Sequence, residues 1–193
     1  MTTIYICRHG AYENPQKVFH GRLPGFPLSQ IGKTQARKLS LALKSKPIAA
    51  IYSSPLTRAY QTAEIIARPH KLKITQDDRL MDVSTPLQGK PLTLIFKIEG
   101  NFYQEKYIKK GGERLGQVFT RIKETVDDIL QKHAGFEVVV VTHGDLIMSF
   151  KSMLLDGKLP KYYPYVSDYV AQGVGYKLVF NGHKFSHLSP IFS

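Results

Sequence analysis

Four consecutive valines, Val138 to Val141, constrain the fold of this chain more than any other feature. Side chains alternate across a β-strand, so a strand that is apolar at every position is at home only in a sheet covered on both faces. Thr3 to Cys7 is a second short β-rich run, and Ile48 to Tyr52 is a weaker third. Helical patterns lie between and after them. Ser29 can cap a helix running to about Lys44, and Ala59, Ala63, Ile66 and Ala67 share one face of a second. The clearest helix follows Gly111 and Gly112, with Leu115, Val118, Phe119, Ile122, Val126, Ile129 and Leu130 at spacings of three and four. Another is expected from Asp145 to Leu155, and Gly175 to Leu188 reads as a hairpin turning at Asn181-Gly182. Strands alternating with helices predict an α/β three-layer sandwich, its central sheet mostly parallel with helices on both faces.

At 193 residues the chain is expected to form a single domain over 1–193, long enough to bury a full core. The stretch from Ser84 to Gly112 is the least regular and has no confident strand; it reads as an insertion or lid over a site, or as ordinary connection. One cysteine excludes a disulfide scaffold, and no apolar stretch approaches a membrane span. The opening residues carry neither a basic leader nor a long apolar run, so a cytoplasmic protein is expected. The formal net charge is +12, and up to residue 60 nine basic residues face Glu13 alone. Such an excess predicts an anionic partner (nucleic acid, an anionic membrane surface or a small phosphorylated molecule), with a merely solvated basic surface as the competing reading.

In open α/β sheets ligands bind just beyond the carboxyl ends of the strands. There this sequence places Arg8-His9-Gly10, Ser53-Ser54-Pro55-Leu56-Thr57-Arg58 and Thr142-His143-Gly144-Asp145. Two arginines and two histidines therefore converge on one edge, which points to a phosphate site. A guanidinium offers a fork of donors that matches phosphate oxygens, so Arg8 and Arg58 suit the charge of phosphoryl transfer. Gly10 permits close backbone approach. An imidazole is partly unprotonated at neutral pH and can form a covalent intermediate. A second imidazole, if protonated, would add a cation, and no metal or other cofactor is required.

Rival phosphate motifs fail on spacing. A cysteine phosphatase built on Cys7 needs an arginine six positions on, where Glu13 stands, and a Walker A loop ending in Gly32-Lys33-Thr34 needs glycine at the position of Pro27. Cys7 is most simply a small buried apolar residue. A single cysteine and the absence of a His-x-His pair leave no support for a metallo-phosphatase.

These residues resemble the histidine phosphatase superfamily, the phosphoglycerate mutase-like proteins. Arg8-His9-Gly10 corresponds to its signature after the first strand. Phe19-His20-Gly21-Arg22, then Pro27-Leu28-Ser29, Gly32 and Gln35-Ala36, is similar to its stretch leading into the first helix. Ser53 to Ala59 with Gln61-Thr62-Ala63 resembles its second arginine motif. Gly112-Glu113-Arg114 resembles the start of its long helix, and Thr142-His143-Gly144 its second histidine motif. The ordered blocks run from about residue 3 to residue 150. The resemblance implies a phosphoglycerate mutase-like fold, with His9 as the phosphorylated nucleophile and Arg8, Arg58 and His143 around the phosphate. Gly10, Gly144, Asn14 and Gly21 would line the substrate side. Asn14 departs from the family in lying five residues after His9 where many members have six, and a turn residue before Pro15 is its other reading. Where many members carry a glutamate acid, Leu80-Met81-Asp82 followed by Gly89 stands here, so Asp82 is taken as general acid. Asp145 is the rival, its alternative being to cap a helix N-terminus.

The expected function is a metal-independent phosphomonoesterase acting on small phosphorylated metabolites through a phosphohistidine. The alternative is a phosphoglycerate mutase, although mutases of the family tend to be longer, with segments that close the site against water. A third reading is a catalytically inactive protein that binds nucleic acid, using its charge and Tyr162, Tyr163, Tyr165 and Tyr169. That stretch contains one basic residue, Lys161, so neither nucleic acid nor a membrane is expected as partner; a phosphorylated substrate or inorganic phosphate is.

Overall fold

The computed structural model describes residues 1–164 and 168–192. Its six strands are β1 (Thr2–Arg8), β2 (Ile48–Ser53), β3 (Ile74–Gln76), β4 (Glu137–Thr142), β5 (Gly175–Asn181) and β6 (Lys184–Pro190). The helices are α1 (Gln30–Leu43), α2 (Thr57–Ala67), α3 (Leu92–Lys97), α4 (Glu105–Ile108), α5 (Leu115–Lys132) and α6 (Gly144–Asp156). The strands form one sheet in the order β3-β2-β4-β1-β5-β6. The first four are mutually parallel, and β5 and β6 close one edge as an antiparallel hairpin.

The valine run does what its pattern predicts. Val138 and Val140 enter the core shared with Ile122, Val126 and Leu146, whereas Val139 and Val141 enter the opposite core with Leu39, Ala63 and Ile66. All four are fully buried. Each contributes roughly 1.5–3 kcal/mol by leaving water, which a strand with one solvated face would forfeit at every second position. Strand β1 splits in the same way, Ile4 and Ile6 to one side and Tyr5 and Cys7 to the other. The Cys7 thiol is fully buried, and burial pushes its pKa up to about 12, so it behaves as an apolar filler.

Local signals account for the helix boundaries. The Ser29 hydroxyl accepts the Gly32 N–H at 3.1 Å and starts α1, and the Gln117 side chain accepts the Arg114 N–H at 2.8 Å at the start of α5. Gly157, at φ 66°, ends α6 in the left-handed conformation that a residue with a Cβ resists. Residues 84–112 hold the short helices α3 and α4, and Ile95 of α3 and Phe102 of the connection between them enter the main core. A bridge between Val18 and Pro91 joins this stretch to the loop after β1.

The topology positions the site. Helices α1 and α2 cover the face that holds Cys7 and Val139, while α5 and α6 cover the face that holds Ile6 and Val140. Neighbouring strands β1 and β4 therefore send their following chain to opposite faces, and the split leaves a crevice beyond Arg8 and Thr142, which are paired in register.

Candidate active site

His9 lies at the mouth of that crevice and is 1% exposed. Its Nδ1 is 2.8 Å from the Gly10 carbonyl, and its Nε2 is 3.3 Å from Nε of Arg58. A carbonyl can only accept and a guanidinium can only donate, so both contacts require the proton on Nδ1 and a lone pair on Nε2. Burial, then the Arg58, His143 and Arg8 groups, hold the His9 pKa well below the usual imidazole range. The ring is neutral, with its nucleophilic nitrogen turned toward the arginine.

Arg58 is the hub. It sits in the first turn of α2 and is buried; one terminal nitrogen donates to the Gly21 carbonyl at 2.9 Å and to Asp82 Oδ2 at 2.8 Å. The same nitrogen lies 3.2 Å from Nδ1 of His143, whose Nε2 is 2.9 Å from the Ser54 hydroxyl. The Thr62 hydroxyl accepts the Gly10 N–H and donates to the Arg58 carbonyl, tying this turn of α2 to the loop after β1. Burial lowers the His143 pKa and Arg58 adds to it, outweighing Asp82, so His143 is neutral and not the extra cation the sequence allows. Arg8 donates to the Val170 carbonyl at 2.6 Å and lies 5.0 Å over the Tyr169 ring. Its buried Nε has no hydrogen-bond partner among the described residues, a donor aimed at a site that can accept one.

Two carboxylates border the same recess, in opposite electrostatic states. Burial pushes Asp82 up, but the His20 hydrogen bond and the Arg58 guanidinium outweigh it and hold the group well below the usual carboxylate range. Its Oδ2 lies 3.3 Å from His20 Nε2 and 3.4 Å from His143 Nδ1. Arg22 and Arg121 both donate to the Asp82 carbonyl, and Glu113 pairs with each of them, so the Asp82 backbone is clamped. Asp145 goes the other way. Burial carries it up to about 6, against the lowering effect of hydrogen bonds from the Tyr103 and Tyr169 hydroxyls. The expectation that Asp145 caps a helix is corrected here: His143 is the N-cap residue of α6, and the Asp145 oxygens accept from the two tyrosines.

The structure thus brings together Arg8, His9, Arg58, Asp82, His143 and Asp145. It does not bring in Asn14, whose amide donates to the Val18 carbonyl at 2.8 Å and accepts the Val18 N–H at 3.2 Å, closing a local turn. The glycines serve packing. A Cβ at Gly10 would lie 2.5 Å from the Gly32 carbonyl oxygen, so the close approach made there is to α1, and one at Gly144 would lie 2.1 Å from the Tyr169 hydroxyl. Gly21, at φ 46°, turns its carbonyl toward Arg58. His20, whose Nδ1 lies 2.7 Å from the Tyr12 hydroxyl, sits in the Phe19-His20-Gly21 block with no role assigned to it by the sequence, and Ser54 likewise lies within the second arginine motif; Tyr169 is singled out by sequence only as a stacking candidate, and Tyr103 carries no signal.

No metal centre is indicated by the donor geometry. His183 and His187 are four residues apart in sequence, but His183 sits in the exposed hairpin turn and His187 on β6, and no group of three metal-ligating side chains occurs among the described residues. Of the tyrosines named above, Tyr163 donates to the Met148 carbonyl, Tyr169 to Asp145 and Tyr162 to Glu99, while Tyr165 lies outside the described residues. No described helix is long and apolar enough to cross a membrane.

Comparison with known families decides the assignment. The family model for the histidine phosphatase superfamily (branch 1) matches residues 4–176. The chain belongs to this superfamily. Among branch 1 relatives, it is 30% identical over 182 residues to phosphoserine phosphatase 1 of Hydrogenobacter thermophilus, covering 90% of this chain and 86% of that protein. It is 28% identical over 165 residues to the probable phosphoglycerate mutase GpmB of Yersinia enterocolitica, covering 80% and 75%. The solved structure of Bacillus stearothermophilus YhfR superposes with a TM-score of 0.81 at 27% identity, covering 96% of this chain and 95% of that one. The superfamily's phosphoglycerate mutase-like fold, a six-stranded sheet flanked by helices, is the fold of this chain.

Proposed function

We propose that this protein is a metal-independent phosphomonoesterase that works through a phosphohistidine. The observation that carries the reading is the fixed tautomer of His9, which leaves an unprotonated Nε2 beside Arg58 and Arg8 in a buried crevice. His9 Nε2 attacks phosphorus in line, forming the N–P bond as the ester P–O bond breaks. Arg58 and the unpartnered Nε of Arg8 bind the phosphoryl oxygens and stabilise the charge spread over them. A phosphoryl dianion would also favour protonation of His143. Asp82 gives its proton to the leaving oxygen and then takes one from the water that hydrolyses the phosphohistidine. Arg58 and the His20 hydrogen bond hold Asp82 anionic in the free site, so this step requires Asp82 first to take up a proton from solvent as the phosphoryl group competes for Arg58 and relaxes that hold. A second reading makes Asp145 the acid, since burial raises its pKa to about 6 and it is protonated far more readily than Asp82 without any such exchange.

The names of the relatives support a phosphoryl substrate and leave hydrolysis and mutation as the two outcomes. A screen of phosphorylated metabolites that includes phosphoserine and 3-phosphoglycerate, read for both free phosphate and isomerised product, separates them; free phosphate is the expected product. His9→Ala should lower turnover by about 10³-fold or more and abolish the acid-labile phosphoenzyme. Hydrolysis by His9→Ala at the wild-type rate would overturn the reading.

A further inference from the structure

Beside the recess that holds His9 opens a cavity of about 330 Å³, which shares Arg8, Phe19, His20 and Tyr169 with it. A group esterified to a phosphoryl held by Arg8 and His9 has this cavity as its adjoining space. One wall is α3, where Leu92, Ile95 and Phe96 stand at i, i+3 and i+4 and so share one side of the helix. Tyr12 closes the loop side and Val170 and Ala171 the far side. Phe96 is 64% exposed at the rim, a large apolar surface left against water beside a site that can bury it.

The polar inventory is as informative as the apolar one. Among the described lining residues Arg8 carries the permanent charge, and it belongs to the phosphate recess; no lysine and no second arginine reaches the cavity. Lys97, which follows Phe96, and Lys90 are exposed and are not among the lining residues, and Arg22, two residues after His20, is tied to Glu113 and the Asp82 carbonyl. On the recess side the border is Asp82 and Asp145. Tyr12, His20 and Tyr169 also line the cavity, and their polar atoms are engaged: the Tyr12 hydroxyl with His20 Nδ1, His20 Nε2 with Asp82, and the Tyr169 hydroxyl with Asp145. A second negative charge on the substrate would therefore find no cation beyond Arg8 among the described lining residues, and burying an unpaired charge is costly.

We propose that the substrates are monoesters whose alcohol is uncharged and apolar, aromatic or alkyl, and that the Leu92-Ile95-Phe96 face of α3 selects them. This rests on the phosphomonoesterase reading of the same site. It sets the chain apart from enzymes for carboxylate-bearing esters, since among the described lining residues Arg8, which serves the phosphoryl group, is the cation and no second one stands ready for a carboxylate. Two measurements test it. Calorimetry with benzylphosphonate and 3-phosphonopropanoate, which cannot be hydrolysed, reads the cavity alone. Benzylphosphonate should bind about tenfold tighter or better, and Phe96→Arg, which puts a cation at an exposed rim position, should shrink that preference severalfold. Equal or reversed affinities in the wild type, or a ratio that Phe96→Arg leaves unchanged, overturns the proposal. In turnover, benzyl phosphate and phosphoserine release alcohols of comparable leaving ability, and kcat/KM should favour benzyl phosphate. Phosphoserine turned over as fast overturns the selectivity and leaves the hydrolase intact. The expected phosphonate preference without turnover of any ester overturns the hydrolase and leaves the cavity assignment standing.

Discussion

Asp82 and Asp145 carry the sharpest residue-scale question, because the pKa values of two buried carboxyl groups on one recess are driven in opposite directions. If Asp82 is the proton donor, Asp82→Asn should slow esters of poor leaving groups by about 10²-fold or more while sparing aryl esters. An equal loss on both, with the leaving-group dependence appearing in Asp145→Asn, moves the role to Asp145. Stability gives a separate handle on Asp145. Its pKa rises from 3.8 to about 6, so the folded state holds the proton more tightly than the unfolded chain. That contribution is present below pH 4 and is lost as the pH rises through 6, on the order of 2–3 kcal/mol. Urea unfolding of wild type against Asp145→Asn should show the wild type losing ground by this amount between those limits. The buried histidines act with the opposite sign on both proteins and cancel in the difference.

Among the elements, legibility followed length and local chemistry. Helices α1 and α5 span three or more turns, so their period is legible in the sequence, as is the Ser29 cap of α1; the Arg114–Gln117 start of α5 is seen only in the structure. Replacing the α1 cap, Ser29→Ala, should cost about 1 kcal/mol in thermal or urea unfolding while leaving turnover intact, because the hydroxyl serves only the Gly32 N–H. Strand β3 has three residues and helices α3 and α4 have six and four, too few for any period to be distinguished from chance. Residues 84–112 were accordingly read as irregular. Their helices exist because Ile95 and Phe102 are anchored in a core supplied by distant segments, not because the local sequence insists on them.

For the whole molecule, the basic excess splits once it is placed in space. Arg58 faces Asp82 and Arg22 faces Glu113, so part of the charge of the first 60 residues is matched locally. Lys33, Arg37 and Lys44 of α1 and its C-terminus instead line a groove between α1 and α2, together with Arg68. At the recess itself Arg8 stands beside Asp82 and Asp145. Raising salt from roughly 20 to 200 mM should lower kcat/KM a fewfold, chiefly through KM. A value independent of salt would mean that the charge plays no part in capturing substrate.

The sequence alone determined what depends on nearest neighbours and periodicity: a doubly covered sheet from Val138–Val141, the long helices, and the strand-end motifs that deliver Arg8, His9, Arg58 and His143. Local rules suffice for these because strand alternation and helix period act over a few residues. Tertiary structure decided what those groups are once assembled. It turned Asn14 into a turn, made His143 neutral, set Asp82 and Asp145 apart, and placed an apolar helix beside the phosphate recess. Desolvation and charge–charge interaction depend on distance in space, and Asp82 meets its partners at positions 20, 58 and 143 only after the chain has folded.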